Sequence, residues 1–155
     1  MIRFFCISFF VLGATSSFAG GLNDAYSESA AGLRAQSMRM KVIAQNIANA
    51  DSTGATPGSD PYRRQIIIFK NKYNKDAGTE VVTVDKVKKD TKTPFNAKFD
   101  PSSPAADEKG YVLLPNLQTP MEIADMKEAQ GSYEANLGAM ETTKRMFATT
   151  LDLLR

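Results

Sequence analysis

The sequence predicts an α+β fold in which long N- and C-terminal amphipathic, coiled-coil-like helices flank a small β-rich insert. Three observations predict it. A heptad line of apolar residues runs from Met121 to the end, a weaker one follows Gly20-Gly21, and turn formers and short β-branched runs crowd the stretch between them. The chain divides into a leader at 1–19, an N-terminal helix at 20–50, a β/turn-rich insert at 51–119 and a C-terminal helix at 120–155.

The C-terminal line is the stronger. Read at alternating steps of three and four, Ile123, Met126, Gln130, Tyr133, Leu137, Met140, Lys144, Phe147, Leu151 and Leu154 fall on one stripe, and eight of those ten are apolar. Charged, small or polar residues fill the gaps, among them Glu122, Lys127, Glu128, Glu134, Glu141, Arg145 and Asp152. A rise of ~1.5 Å per residue makes Ile123 to Leu154 about 48 Å long. So long a helix with so narrow a stripe asks for partner helices. Gln130 and Lys144 interrupt the seam either as polar register-setting positions or as residues facing solvent on the outside of an assembly.

On the N-terminal line stand Leu22, Tyr26, Ser29, Leu33, Gln36, Met40, Ile43, Ile47 and Ala50, with Ala30, Ala31, Ala35, Ala44 and Ala48 favouring helix between them. It ends where Asn49-Ala50-Asp51-Ser52-Thr53-Gly54 and then Pro57-Gly58 crowd in. Asn46 and Asn49 are expected to close the helix and tolerate a left-handed backbone there. The two helices pair either as a hairpin within one molecule or as a bundle between molecules.

Within the insert, Tyr62 to Lys70 (YRRQIIIFK) and Thr79 to Val87 (TEVVTVDKV) read as strands, joined by Asn71 to Gly78. Asp107-Glu108-Lys109-Gly110 reads as a tight turn into a short strand at Tyr111 to Leu114. Between Thr93 and Pro120, five prolines mark extended or turning backbone. Lys86, Lys88, Lys89 and Lys92 are expected to lie solvated in a loop, since nothing aromatic is interleaved for stacking on bases. Arg63 and Arg64 suit either an acidic neighbour in an assembly or a solvated strand edge. Asp100, Asp107 and Glu108 lack the spacing and the closing glutamate of a calcium loop.

Composition excludes whole classes of chemistry. The 155 residues are 43% hydrophobic and 23% charged and include no histidine, no tryptophan and one cysteine, Cys6. Disulfide frameworks, Cys/His zinc sites and Ser-His-Asp or Cys-His catalysis are unavailable within one chain. Nineteen Lys+Arg against seventeen Asp+Glu give a net charge of +2, too balanced for a nucleic-acid binder. No catalytic, cofactor or metal residues are assigned, and neither a cofactor nor a small-molecule substrate is expected.

The first nineteen residues have the character of a secretory signal. Arg3 supplies a positive start, Phe4 to Ala14 an apolar core, and Ser17-Phe18-Ala19 small residues before a cut at Gly20. The apolar run is short of the ~20 residues that span a bilayer. Cleavage would remove Cys6 and leave a cysteine-free chain suited to an oxidising compartment.

Three blocks carry a resemblance: AAGLRAQSMRMKVIAQNIANADSTG at Ala30 to Gly54 with PYRRQIIIF at Pro61 to Phe69, FDPSSPAADEKGYVLLPNL at Phe99 to Leu117, and MEIADMKEAQGSYEANLGAMETTKRM at Met121 to Met146. With these the chain resembles the flagellar basal-body rod proteins over most of its length from about Gly20. The PYRR and DPSSPAAD strings narrow the match to one member, a proximal-rod subunit, ahead of sibling axial subunits. The resemblance implies a structural protein whose terminal helices pack with copies of itself and with other rod subunits in the periplasmic part of a drive shaft that transmits torque. It implies a monomer before assembly and an oligomer within it. The assembly interface would comprise Leu22, Leu33, Met40, Ile43 and Ile47 on the first helix, and Ile123, Met126, Tyr133, Leu137, Met140, Phe147, Leu151 and Leu154 on the last. Proteins of this kind usually leave through the flagellar type III route without a cleaved signal, so residues 1–19 are a departure, and export by the general secretory route is expected here.

A small secreted hydrolase acting on cell-wall glycans is the competing reading from another class. It needs two carboxylates across a cleft, one of them in an apolar pocket. Here the acids lie mainly on helix faces and in turns, and the insert offers little cleft.

Overall fold

The computed structural model describes residues 15–75 and 77–154, and within them the chain runs α1 (Thr15–Ala48), β1 (Gln65–Asn74), β2 (Thr79–Lys89), β3 (Asn96–Phe99), β4 (Tyr111–Leu114) and α2 (Thr119–Leu153). Long terminal helices thus flank a small β-rich region, as an α+β fold requires. Of the leader, residues 1–14 lie outside the described residues. Helix α1 begins at Thr15, ahead of the expected start, and continues through Ala19, Gly20 and Gly21 without a break.

The two helices form an antiparallel hairpin. Gly32 meets Asn136, Arg39 meets Asp125 and Glu128, and Asn46 meets Glu122, so α1 descends as α2 ascends. Small residues let the axes approach. A Cβ on Gly32 would stand 2.7 Å from the Asn136 side-chain oxygen, and Ala31, Ala35 and Ala129 are buried. Pro120 sits in the first turn of α2, where a missing N–H costs nothing, and Glu122 places an acid in the same turn.

Helix α1 ends at Ala48 by ordinary turns, in which Asn49 N–H donates to the carbonyls of Gln45 and Asn46. No described residue other than glycine has positive φ. The left-handed role expected of Asn46 and Asn49 is therefore wrong. Helical hydrogen bonding simply runs out into turn bonds, and Asn46 is put to another use.

Two antiparallel ribbons make up the insert. β1 pairs with β2 from Gln65↔Lys89 to Asn74↔Thr79, with a bulge at Ile68/Phe69. Strand β1 runs four residues past its expected end at Lys70, because the turn needs only the residues up to Gly78. The positive φ of Gly78 and its N–H donation to the Asn74 carbonyl (2.9 Å) close that turn. The ribbon lies back along α1. Asn74 Nδ2 donates to Ser27 Oγ (3.1 Å), Thr79 Oγ1 donates to Glu28 Oε1 (2.7 Å), and Val81 is buried. Lys86, Lys88 and Lys89, expected in a loop, stand on β2.

β4 falls where expected, and the turn before it forms. Asp107 Oδ1 accepts from the N–H groups of Lys109 (2.9 Å) and Tyr111 (2.8 Å), and Gly110 takes φ 82°. Its partner β3, paired from Asn96↔Leu114 to Phe99↔Tyr111, carries no alternating signal, and all four of its residues are exposed.

Candidate functional site: an outward seam and a polar joint

On α2 the line turned toward α1 is Glu122, Ala129 and Thr143, all buried, with half-buried Asn136 between them. Each stands one residue before a member of the apolar line: Ile123, Gln130, Lys144 and Leu137. Successive residues differ by about 100° around a helix, so the hairpin leaves that apolar line on the flank. Ile123, Leu137, Leu151 and Leu154 are 45%, 39%, 64% and 79% exposed. Met126, Tyr133, Met140 and Phe147 are half-buried between the two lines, and Gln130 and Lys144 face solvent.

The first helix behaves differently. Leu22 and Ile43 are buried within the chain, Leu33, Met40 and Ile47 are half-buried, and Tyr26 is exposed. Helix α1 lies between α2 and the β1–β2 ribbon and spends most of its surface inside the molecule. The structure therefore brings Leu22 and Ile43 inside and leaves Ile123, Leu137, Leu151 and Leu154 outside.

Below the hairpin a polar joint fixes the insert to the helices. Asn46, at the end of α1, makes all four hydrogen bonds its amide allows. Its Oδ1 accepts from Tyr62 OH and Gln65 N–H, both at 2.9 Å, while its Nδ2 donates to the Gln65 carbonyl and to Glu122 Oε2, again at 2.9 Å. Glu122 is 1% exposed, and its Oε1 accepts from Arg64 Nε at 2.6 Å. Arg64 reaches on to Asp125 (3.5 Å), and Arg39 bridges the helices to Asp125 (3.6 Å) and Glu128 (3.3 Å). Burial pushes the Tyr62 phenol above its ordinary range; a side-chain hydrogen bond to Gln65 opposes this, and the Glu122 charge adds to it.

Asn116 repeats the device one layer down. Its Oδ1 accepts from Arg64 N–H (2.8 Å), and its Nδ2 donates to the carbonyls of Asp90 (3.0 Å) and Thr93 (3.2 Å). Three hydrogen bonds from Thr93 and Lys92 hold the Asp90 carboxyl below its usual range, the Thr93 hydroxyl contributing most. Arg63 pairs with Asp60 (3.8 Å), donates to the Asp90 carbonyl (3.2 Å) and stacks over Phe95 at 4.0 Å. Both arginines thus serve inside the chain, contrary to either expectation for them.

Sequence reasoning missed Glu122 and Asn116 and misread Asn46. The signal available was spacing: Glu122, Ala129, Asn136 and Thr143 recur every seven residues and so share a face as faithfully as any leucines. A cleft of about 210 Å³ opens beside the joint, lined by Arg64, Asp90, Asn116, Met121 and Glu122 among others. Arg64, Asp90, Asn116 and Glu122 there are engaged by the hydrogen bonds given above.

Comparison with known proteins agrees with the assembly reading. The profile of the flagella basal body rod protein family matches residues 29–56, the segment that holds the Gly32 contact and Asn46. Curated relatives match over most of the chain, three of them named flagellar basal-body rod protein FlgC. The one from Agrobacterium fabrum is 43% identical over 86% of this chain and 96% of its own length. That from Borreliella burgdorferi is 39% identical over 87% and 99%, and that from Escherichia coli O6:H1 is 38% identical over 78% and 89%.

Proposed function

From the membership of this chain in the FlgC family of flagellar basal-body rod proteins, which makes it a structural subunit of the rod, we propose that it joins neighbouring subunits through the outward line of α2. The carrying observation is the exposure of Ile123, Leu137, Leu151 and Leu154 along one flank of a helix whose other flank is already occupied. A helix with one small-residue face and one large apolar face is built to be sandwiched. The half-buried Met126, Tyr133, Met140 and Phe147 border both contacts. Partners are copies of this chain and other rod subunits, and the subunit is monomeric before it assembles. In the rod the packed helices carry torque, and no catalysis is assigned to the joint or the cleft.

Leu137→Glu tests the interface. It should abolish recovery of the protein with purified basal bodies while leaving a soluble chain, because it places a charge in the middle of a desolvated contact. Ala135→Glu, exposed and about 200° around α2 from Leu137, should be much milder. Equal losses for the two would put the interface on another face.

For delivery, the secretory character of Met1 to Ala19 supports export across the inner membrane, cleavage before Gly20 and assembly from the periplasmic side. The unbroken helix from Thr15 across the Ala19–Gly20 bond favours the other route, in which the segment stays on the chain and the flagellar export apparatus carries it. Mass spectrometry of the N-terminal peptide from purified basal bodies separates them: a first residue of Gly20 supports cleavage, and a peptide containing Phe18-Ala19-Gly20 refutes it.

A further inference from the structure

We infer that the outward flank of α2 receives the β1–β2 ribbon of a second copy of this chain, in a head-to-tail contact held by opposite charge. The inference rests on the reading of that flank as an assembly face and adds its occupant.

Charge is separated between the two elements. From Gln65 to Lys92 there are seven lysines against four acids, a net +3, and from Thr119 to Leu153 six acids against three basic residues, a net −3. The charges that the molecule uses internally are not the ones left over. Glu122, Asp125 and Glu128 are taken up by Arg64 and Arg39, and Lys70 by Asp85. Among the described residues no ion pair engages Lys86, Lys88 or Lys89 on the ribbon, nor Glu134 or Glu141 on α2, and all five are exposed.

The apolar groups match the same division. Glu134 and Glu141 stand three before and four after Leu137, so they border it on the helix surface. On β2, Val87 is 40% exposed and shares a face with Lys89, while Lys86 and Lys88 stand on the other. The ribbon has only two strands, so β2 is an edge strand whose lysines can reach past it on either side. Within one chain the ribbon lies against α1, leaving its basic end and the acidic flank of α2 to meet only between copies. Such a contact joins two different surfaces and therefore propagates, as an axial polymer requires.

Reciprocal charge reversal in the full chain tests the contact by sedimentation over a concentration series. Lys86→Glu/Lys88→Glu/Lys89→Glu and Glu134→Lys/Glu141→Lys should each weaken self-association at least about tenfold at low salt. An equimolar mixture of the two variants should restore it, since each then meets an opposite charge. Wild-type association should fall steeply as salt rises through a few hundred millimolar. Circular dichroism checks that both variants keep their helices. A mixture no better than either variant, or a wild-type chain that stays monomeric at about 1 mM, overturns the inference. If either result came with normal recovery of the wild-type chain in basal bodies and loss of Leu137→Glu from them, the assembly face would stand and only its proposed occupant would fall.

Discussion

Asn46 Nδ2 donates to Glu122 Oε2 at 2.9 Å across the base of the helical hairpin, joining residues seventy-six positions apart. This single contact decides how the insert sits on the helices, because Asn46 also clasps both backbone groups of Gln65, the first residue of β1. A buried amide with every hydrogen bond made is stabilising only as a complete set.

Truncation at Asn46 should therefore cost far more than its size suggests. Asn46→Ala leaves Tyr62 OH, both Gln65 backbone groups and one Glu122 oxygen without that partner. We expect a loss of about 2–4 kcal/mol, read as a lower urea midpoint. Asn46→Asp keeps the shape but sets a second carboxylate against Glu122. Its stability deficit should match or exceed that of Asn46→Ala, since it adds a like charge beside a buried carboxylate.

Much of the architecture is legible without coordinates. The seven-residue recurrence of Met126, Tyr133, Met140 and Phe147 announces a long helix, and DEKG before YVLL announces a turn and a strand. Its facing is not legible from apolar residues alone. Alternating hydrophobicity marks the stripe that needs burial and does not say whether the chain or a neighbour buries it. Here α1 and α2 meet through Gly32, Ala129 and Asn136, residues that hydropathy ranks as filler. The joint is illegible for a related reason. Glu122 looks like any surface glutamate until Arg64 and Asn46 arrive from distant positions to neutralise it. Strand β3 is hidden because four exposed residues between prolines carry no period.

Replacing Gly32 should show coupling across the hairpin. Alanine gains up to about 1 kcal/mol in helix propensity but drives a methyl group into Asn136, whose Nδ2 already donates to the Ser132 carbonyl at 2.9 Å. Gly32→Ala alone should change stability little or reduce it. In an Asn136→Ala background the same substitution should stabilise by about 1 kcal/mol. A double-mutant cycle on thermal midpoints measures the difference, and simple additivity would mean that the helices do not touch there.

Acid should loosen the lower layer of the joint through Asp90. Its carboxyl is held below the ordinary value near 3.8 by Thr93 first and Lys92 next. A depressed folded pKa contributes stability that is present above about 4 and lost as pH falls through the folded value. Urea midpoints measured from pH 6 down to 2.5 should thus fall less steeply for Asp90→Asn than for the wild-type chain below pH 4. Parallel curves would remove Asp90 from the account. The effect should be small, since the group is exposed and water competes for its bonds.

The two ends of α2 should differ in how firmly they hold before assembly. Near Glu122 the helix is pinned by the joint, by Arg39 and by the Gly32 contact, whereas beyond Phe147 the exposed Leu151, Leu153 and Leu154 offer apolar surface without a partner among the described residues. Local opening follows the number of buried contacts, so amide exchange in the isolated subunit should be slowest between Glu122 and Asn136 and quicken toward Leu154. Neighbouring subunits packing on the outward line should remove that gradient, and the same peptides from intact basal bodies should be protected to the end. Uniformly slow exchange through Leu154 in the isolated chain would show that the seam needs no neighbour. It would also remove the argument that its exposed leucines exist for assembly.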